Sequence, residues 1–140
     1  MDQPQRVKYH VKKNSTSPLV SIVDDDESIR QATESLLMGF GFQVESFSSA
    51  EEFLNSARLY DTACLILDIQ MTGMNGLKLQ YQLAARNHPV PIIFLTAHGS
   101  QRNEAKAMQR GAIAFLRKPF SARELLQALC TALHLPPIEE

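Results

Sequence analysis

Residues 63–76 read Ala63-Cys64-Leu65-Ile66-Leu67-Asp68-Ile69-Gln70-Met71-Thr72-Gly73-Met74-Asn75-Gly76, and this stretch decides the fold. Five uncharged, largely apolar residues run from Ala63 to Leu67 without polar alternation. A strand covered on both faces, as in a parallel sheet, has that pattern, whereas a half-exposed strand alternates. The run stops on a carboxylate and passes into a loop with two glycines and an asparagine. Asp68 therefore falls at the carboxyl end of a buried strand, the edge where open α/β sheets bind ligands. A strand-ending aspartate ordinarily does no more than cap a turn, so the neighbouring stretches have to decide.

Outward from this run the same grammar repeats. Leu19–Val23 is a second apolar stretch, and it too stops on acid, Asp24-Asp25-Asp26-Glu27. Ile29, Thr33, Leu36, Leu37 and Phe40 then recur at helical spacing up to Gly41, a stop signal. Capping that helix explains one or two of the acids but not four. Residues 42–47 alternate, which predicts a half-exposed edge strand. Ser49 with Glu52 forms a capping-box pattern, opening a helix with Phe53, Leu54 and Ala57 on its inner face.

Beyond the central run, Leu77, Leu79, Leu83 and Ala84 mark a third helix starting at Gly76, ended by Asn87-His88-Pro89. Residues 91–96 form another apolar strand, ending on the hydroxyl of Thr96. Residues 101–110 predict a polar helix whose apolar side chains are Ala105, Ala107 and Met108. Residues 112–118 are the fifth strand, closing on Lys118 with Pro119 directly after it. Ser121 and Glu124 cap a last helix bearing Leu125, Leu126, Leu129 and Leu133, and Pro136-Pro137 break the chain. Strand and helix thus alternate five times, which predicts an α/β fold: a parallel sheet with helices on both faces and right-handed crossovers.

The chain of 140 residues is long enough for one domain with a real core. Fourteen Lys and Arg against fifteen Asp and Glu give a net charge of −1, so electrostatics provides no pull towards nucleic acid or a membrane surface. No apolar run approaches the ~20 residues that span a bilayer, and the expected location is cytoplasmic. Cys64 and Cys130 lack metal-ligand spacing and read as small core residues in a reducing compartment. Residues 1–17, polar and basic, read as a flexible leader, native or left by cloning; Val7, Tyr9 and Val11 alternate and could add an edge strand. Residues 18–135 are the folded domain and 136–140 a tail or the start of a linker. His10, His88 and His134 have no evident partners and read as surface residues.

Four strand ends now bring polar groups to one edge of the sheet: Asp24 and Asp25, Asp68, Thr96, and Lys118. Carboxylates crowded together repel one another unless a cation sits among them, and an all-oxygen set with room for water suits Mg²⁺ rather than zinc. A lysine and a hydroxyl beside them are the groups needed to receive a phosphoryl group. Asp68 would be the nucleophile, since a carboxylate can form an acyl phosphate.

The stretches Ile22-Val23-Asp24-Asp25, Leu67-Asp68-Ile69-Gln70-Met71, Phe94-Leu95-Thr96-Ala97 and Lys118-Pro119-Phe120 stand in order at the ends of four strands. In this the chain resembles the receiver domains of bacterial two-component response regulators, from about residue 19 to 135. It is most similar to receivers preceding a helix-turn-helix in transcription regulators. The resemblance implies a flavodoxin-like, doubly wound (βα)5 sheet of strand order 2-1-3-4-5. It makes Asp68 the phosphoacceptor, with Asp24, Asp25 and the main-chain carbonyl of Gln70 completing the Mg²⁺ site. Thr96 and Lys118 would grip the phosphoryl oxygens, beside a small Ala97, and the Lys118–Pro119 bond would be cis. Thr96 and Phe115 would move together as the switch, although Phe115 could equally be a static core aromatic. Gln70 and His98, each two residues past a key strand end, would tune phosphoryl lifetime; His98 could instead be a solvated loop residue. Thr72 stands where such domains usually carry proline, which frees a backbone donor and predicts a looser loop.

The expected function is a phosphorylation switch, not a metabolic enzyme, that catalyses its own phosphotransfer and slow dephosphorylation. A sensor histidine kinase is the expected partner. The face made by the fourth helix, fifth strand and fifth helix would control homodimerisation or an output partner, with no nucleic-acid contact by these residues. One competing reading is a phosphorylation-independent binding module, which the intact set of five site residues argues against. The other is an aspartate-nucleophile phosphatase; such sites want a second acid where Gln70 stands.

Overall fold

The computed structural model describes residues 17–97 and 101–136. The apolar runs become β1 (Leu19–Val23), β3 (Thr62–Asp68) and β4 (Ile92–Thr96), every residue of β1 and β4 being buried. The alternating stretch becomes β2 (Gln43–Phe47), half-buried at one edge, and β5 (Ala114–Arg117) forms the other. All pairings are parallel, in the order β2-β1-β3-β4-β5. The helices are α1 (Glu27–Gly39), α2 (Ala50–Leu54), α3 (Gly76–Ala85), α4 (Gln101–Gln109) and α5 (Ala122–Leu133).

Because successive strand side chains point to opposite faces, the central run feeds two separate cores. Leu65 and Leu67 join Phe53, Leu79, Leu83 and Phe94 beneath α2, α3 and α4. Cys64 and Ile66 join Leu37, Ile93, Leu125 and Leu129 beneath α1 and α5. Both cysteines are buried, and burial pushes the Cys64 thiol up to about 12, so it packs as a small neutral side chain.

Helix starts follow local capping chemistry. Asp26, Ser49, Asn75 and Ser121 each accept a hydrogen bond from a backbone N–H three residues on, and Ser121 with Glu124 completes a full capping box. At α2 the box expected from Ser49 and Glu52 is only half made. The Glu52 carboxylate reaches past Ser49 to accept from the N–H and hydroxyl of Ser48, at 2.7 and 3.0 Å.

Three other expectations are corrected. α2 ends at Leu54, so Ala57 lies outside it and is exposed rather than inward-facing. A 3-10 turn at Leu59–Asp61 fills the gap, its Leu59 buried in the core. The fifth strand begins two residues later than expected because the Ala112 N–H closes the end of α4 on the Ala107 carbonyl, 3.1 Å away. His88 is half-buried, its Nε2 3.2 Å from the Leu59 carbonyl and its ring edge-on to Tyr60.

Among the described residues, no helix is long and apolar enough to cross a membrane. Residues 1–16, with the Val7–Tyr9–Val11 alternation and His10, lie outside the described residues, as do His98 and residues 137–140.

Candidate phosphoacceptor and metal site

Register brings the site together. Val23 of β1 pairs with Leu67 of β3, so Asp24 and Asp68 leave the sheet side by side. Thr96 pairs with Arg117, so Lys118 emerges one residue beyond, and its N–H donates to the Thr96 carbonyl at 2.8 Å. One carboxylate oxygen from each of Asp24, Asp25 and Asp68 lies within 4.8 Å of the others. The Lys118 ammonium reaches between two of them, 3.3 Å from Asp24 Oδ2 and 3.8 Å from Asp68 Oδ1. Asp24 is fully buried, Asp68 is 6% exposed, and Asp25 faces solvent.

These charges do not balance: three carboxylates against one ammonium leave the cluster net negative. Burial pushes the Asp68 carboxyl up from 3.8 to about 6; Lys118 and the Gln70 N–H pull it down, while Asp24 and Asp25 push it further up. The donor set contains oxygen only, one member is open to water, and excess negative charge remains. It fits a hard divalent cation such as Mg²⁺.

The acids are held by groups that sequence reading missed. Asp26, not Asp24 or Asp25, caps α1, which leaves those two carboxylates for the site. Asp24 Oδ1 accepts the Asp26 N–H at 2.9 Å, and the Arg30 guanidinium donates to the Asp24 carbonyl at 2.7 Å. Only Arg30's place on the first turns of a helix following the acids hinted at this. On the other side, Glu51 of α2 accepts the Met74 N–H at 3.1 Å, anchoring the loop that follows Asp68.

Gly76 has a steric role beyond starting α3. A Cβ there would stand 2.5 Å from the Asp68 carbonyl oxygen and 3.0 Å from Ile69 Cα, both backbone atoms that cannot swing aside. Its N–H donates to the Ile69 carbonyl at 2.9 Å, so α3 docks directly under the end of β3. Gly76→Ala is expected to cost about 1–3 kcal/mol through this overpacking. Denaturant unfolding checks it, and an unchanged midpoint would mean that α3 backs away freely.

Of the remaining expected residues, the structure describes Thr96, Gln70, Phe115 and the Lys118–Pro119 bond, and His98 lies outside the described residues. Thr96 is fully buried at the end of β4. Gln70 is exposed at the mouth, and a cleft of about 560 Å³ opens there, lined by Asp25, Gln70, Thr72, Asn75 and Asn103 among others. Phe115 is half-buried on β5, its ring centroid 6.1 Å from that of Phe94 and the Arg117 guanidinium carbon 5.8 Å from its own. The Lys118–Pro119 bond is cis.

A doubly wound sheet of this strand order, with acids and a lysine at its carboxyl edge, defines a flavodoxin-like protein with a candidate cation site. Residues 20–130 match the response regulator receiver domain, and the chain belongs to that family. Receiver domains are phosphorylation switches rather than enzymes of metabolism. Response regulator protein TmoT of Ectopseudomonas mendocina is 43% identical over 124 residues, 89% of this chain and 56% of that protein. Transcriptional regulatory protein FixJ of Azorhizobium caulinodans is 34% identical over 114 residues, 81% of this chain and 54% of that protein. The solved structure of response regulator StyR superposes with a TM-score of 0.78 at 44% identity, covering 85% of this chain and 60% of that one. The chain spans about half the length of the curated relatives it matches.

Proposed function

We propose that residues 18–135 are a receiver unit in which Asp68 accepts a phosphoryl group from a sensor kinase's phosphohistidine or a small phosphodonor. The observation that carries this reading is the convergence of strand ends. Three carboxylates meet within 4.8 Å, and an ammonium stands 3.8 Å from the nucleophile. In the transfer an Asp68 oxygen forms the new O–P bond as the donor's P–N or P–O bond breaks, and the departing atom keeps the electron pair. Mg²⁺ held by Asp24, Asp25, Asp68 and the Gln70 carbonyl would supply positive charge against the phosphoryl oxygens. Lys118 would add a second positive charge, and the Thr96 hydroxyl would donate to a phosphoryl oxygen. The Gln70 side chain, exposed at the mouth of the site, would set the access of water that hydrolyses the product, while the same role expected of His98 falls outside the described residues.

The attached group carries a charge of about −1.5 to −2, and the face of α4, β5 and α5 would respond. Ala107 is the one α4 residue described as buried, so little apolar area anchors that helix. Its ion pair to β5, Glu104 to Arg117 at 2.9 Å, is half-exposed and worth about 0–1 kcal/mol. Movement of Thr96 towards the phosphoryl group would let Phe115 turn inward and α4 shift. The new face would dimerise or dock an output partner in the cytoplasm. The relatives' naming as transcriptional regulators suggests that this output is transcription, with DNA contact left to other residues.

Intact-mass measurement after acetyl phosphate and Mg²⁺ tests the reading. One phosphoryl group is expected on the unmodified chain and none on Asp68→Asn. No added mass would leave the phosphorylation-independent binding module standing, and retention in the variant would move the acceptor elsewhere.

A further inference from the structure

Asp25 is the exposed member of the acidic cluster, and the ion pairs of Lys118 run to the other two carboxylates. Its Oδ2 instead accepts the Thr72 main-chain N–H at 3.0 Å, with the Thr72 hydroxyl at 3.4 Å. The extra donor that replaces the usual proline is therefore not idle. It crosses 47 residues of sequence to hold a site carboxylate. Proline has no N–H and could not make this bond. On the far side of the same loop Glu51 holds the Met74 N–H, so the donor is presented from a backbone fixed at both ends.

An exposed carboxylate facing two others gains by swinging away into water, because like charges repel at short range. A charge-assisted hydrogen bond on one oxygen opposes that swing, while a carboxylate keeps further lone pairs for another partner. We propose that Thr72 is a positioning residue for the divalent cation. Through its main-chain N–H it keeps Asp25 turned towards Asp24 and Asp68 before the cation arrives, and so raises Mg²⁺ affinity. The inference rests on the metal-site reading above.

Calorimetric titration of the chain with Mg²⁺ alone tests both. Thr72→Pro, which lacks the donor, is expected to weaken binding about three- to tenfold, the scale of one partly exposed charge-assisted hydrogen bond. Thr72→Ala, which keeps the N–H, is expected to stay within about twofold of the unmodified chain, since the hydroxyl contact is the longer one. In an Asp25→Ala background, which removes the acceptor, the Thr72→Pro change should lose most of its effect on Mg²⁺. A loop merely distorted by proline would weaken binding equally in both backgrounds, which overturns the proposal, as does equal affinity of Thr72→Pro and the unmodified chain. If proline prevents folding, the Thr72 amide proton decides. It should move upfield in Asp25→Ala, and an unmoved resonance removes the bond. No Mg²⁺ binding by the unmodified chain would overturn the site reading itself, and this inference with it.

Discussion

Asp68→Asn is expected to make the metal-free protein more stable at neutral pH while abolishing phosphorylation. Asp68 is almost fully buried, and its carboxyl is raised from 3.8 to about 6, first by that burial and then by Asp24 and Asp25. Below pH 3.8 the group is protonated in folded and unfolded chains alike. Between 3.8 and about 6 the folded state holds a proton that the unfolded chain has released, so stability falls as pH rises. Above that window the full cost is present, about 2–3 kcal/mol for a shift of about two units at ~1.4 kcal/mol each. A neutral amide removes it. In EDTA at pH 7.5 the variant should melt about 5–10 °C higher, and the gain should vanish towards pH 4. Equal melting temperatures at pH 7.5 would show that the site bears no such excess charge. Added Mg²⁺ should narrow the gap, because the unmodified chain gains RT ln(1 + [Mg²⁺]/Kd) and the variant has lost a ligand.

That the same side chain is costly to the fold and central to the site explains why its position could be read so early. Continuous apolar runs predict buried parallel strands, and, apart from Ser21 within β1, polar groups interrupt those runs only at strand ends. Asp24, Asp68, Thr96 and Lys118 were therefore legible as one edge from local pattern alone. The boundaries that failed were decided by competition between neighbours. Ala57 favours a helix, but Asn55 already caps α2, and the Ser56 hydroxyl turns the chain by accepting the Arg58 N–H at 2.9 Å. His88 gave no sign of its partners because Leu59 and Tyr60 lie on a turn that periodicity does not encode.

What holds the site was invisible for a further reason. The bonds from Arg30 to the Asp24 carbonyl, from Met74 to Glu51 and from Thr72 to Asp25 use backbone groups, which every residue has. Nothing in a side-chain pattern marks which N–H or carbonyl will be recruited from another segment. The missing proline at Thr72 gave a donor without a destination, and only the packing of the β3–α3 loop against the β1–α1 loop supplies one.

The opposite perturbation at the same cluster is Lys118→Met. Three carboxylates and one ammonium carry a net −2; Asp68→Asn reduces this to −1, and Lys118→Met raises it to −3. Lys118 bridges Asp24, which is fully buried, and Asp68, nearly so. Removing one partner of a buried ion pair leaves an uncompensated charge and typically costs about 3–5 kcal/mol. Since water reaches the site through Asp25, the lower end, about 3 kcal/mol, is expected from denaturant unfolding in EDTA. Lys118 is also the largest influence pulling the Asp68 carboxyl down, so its loss raises that group further and leaves less nucleophilic carboxylate at neutral pH. With the ammonium gone from the phosphoryl oxygens as well, phosphotransfer should slow about 100-fold or more, the loss typical of one preorganised charge-stabilising donor. Mg²⁺ should recover much of the stability but not the rate, because a cation held by the acids would offset their repulsion without replacing the hydrogen-bond donors of the ammonium. The decisive measurement is a double-mutant cycle. If the charges act on each other, Lys118→Met should cost clearly less in an Asp68→Asn background than in the unmodified chain. Strict additivity would mean that the lysine acts through Asp24 or its own stem and not through Asp68, so that these two are not the coupled pair their 3.8 Å separation implies.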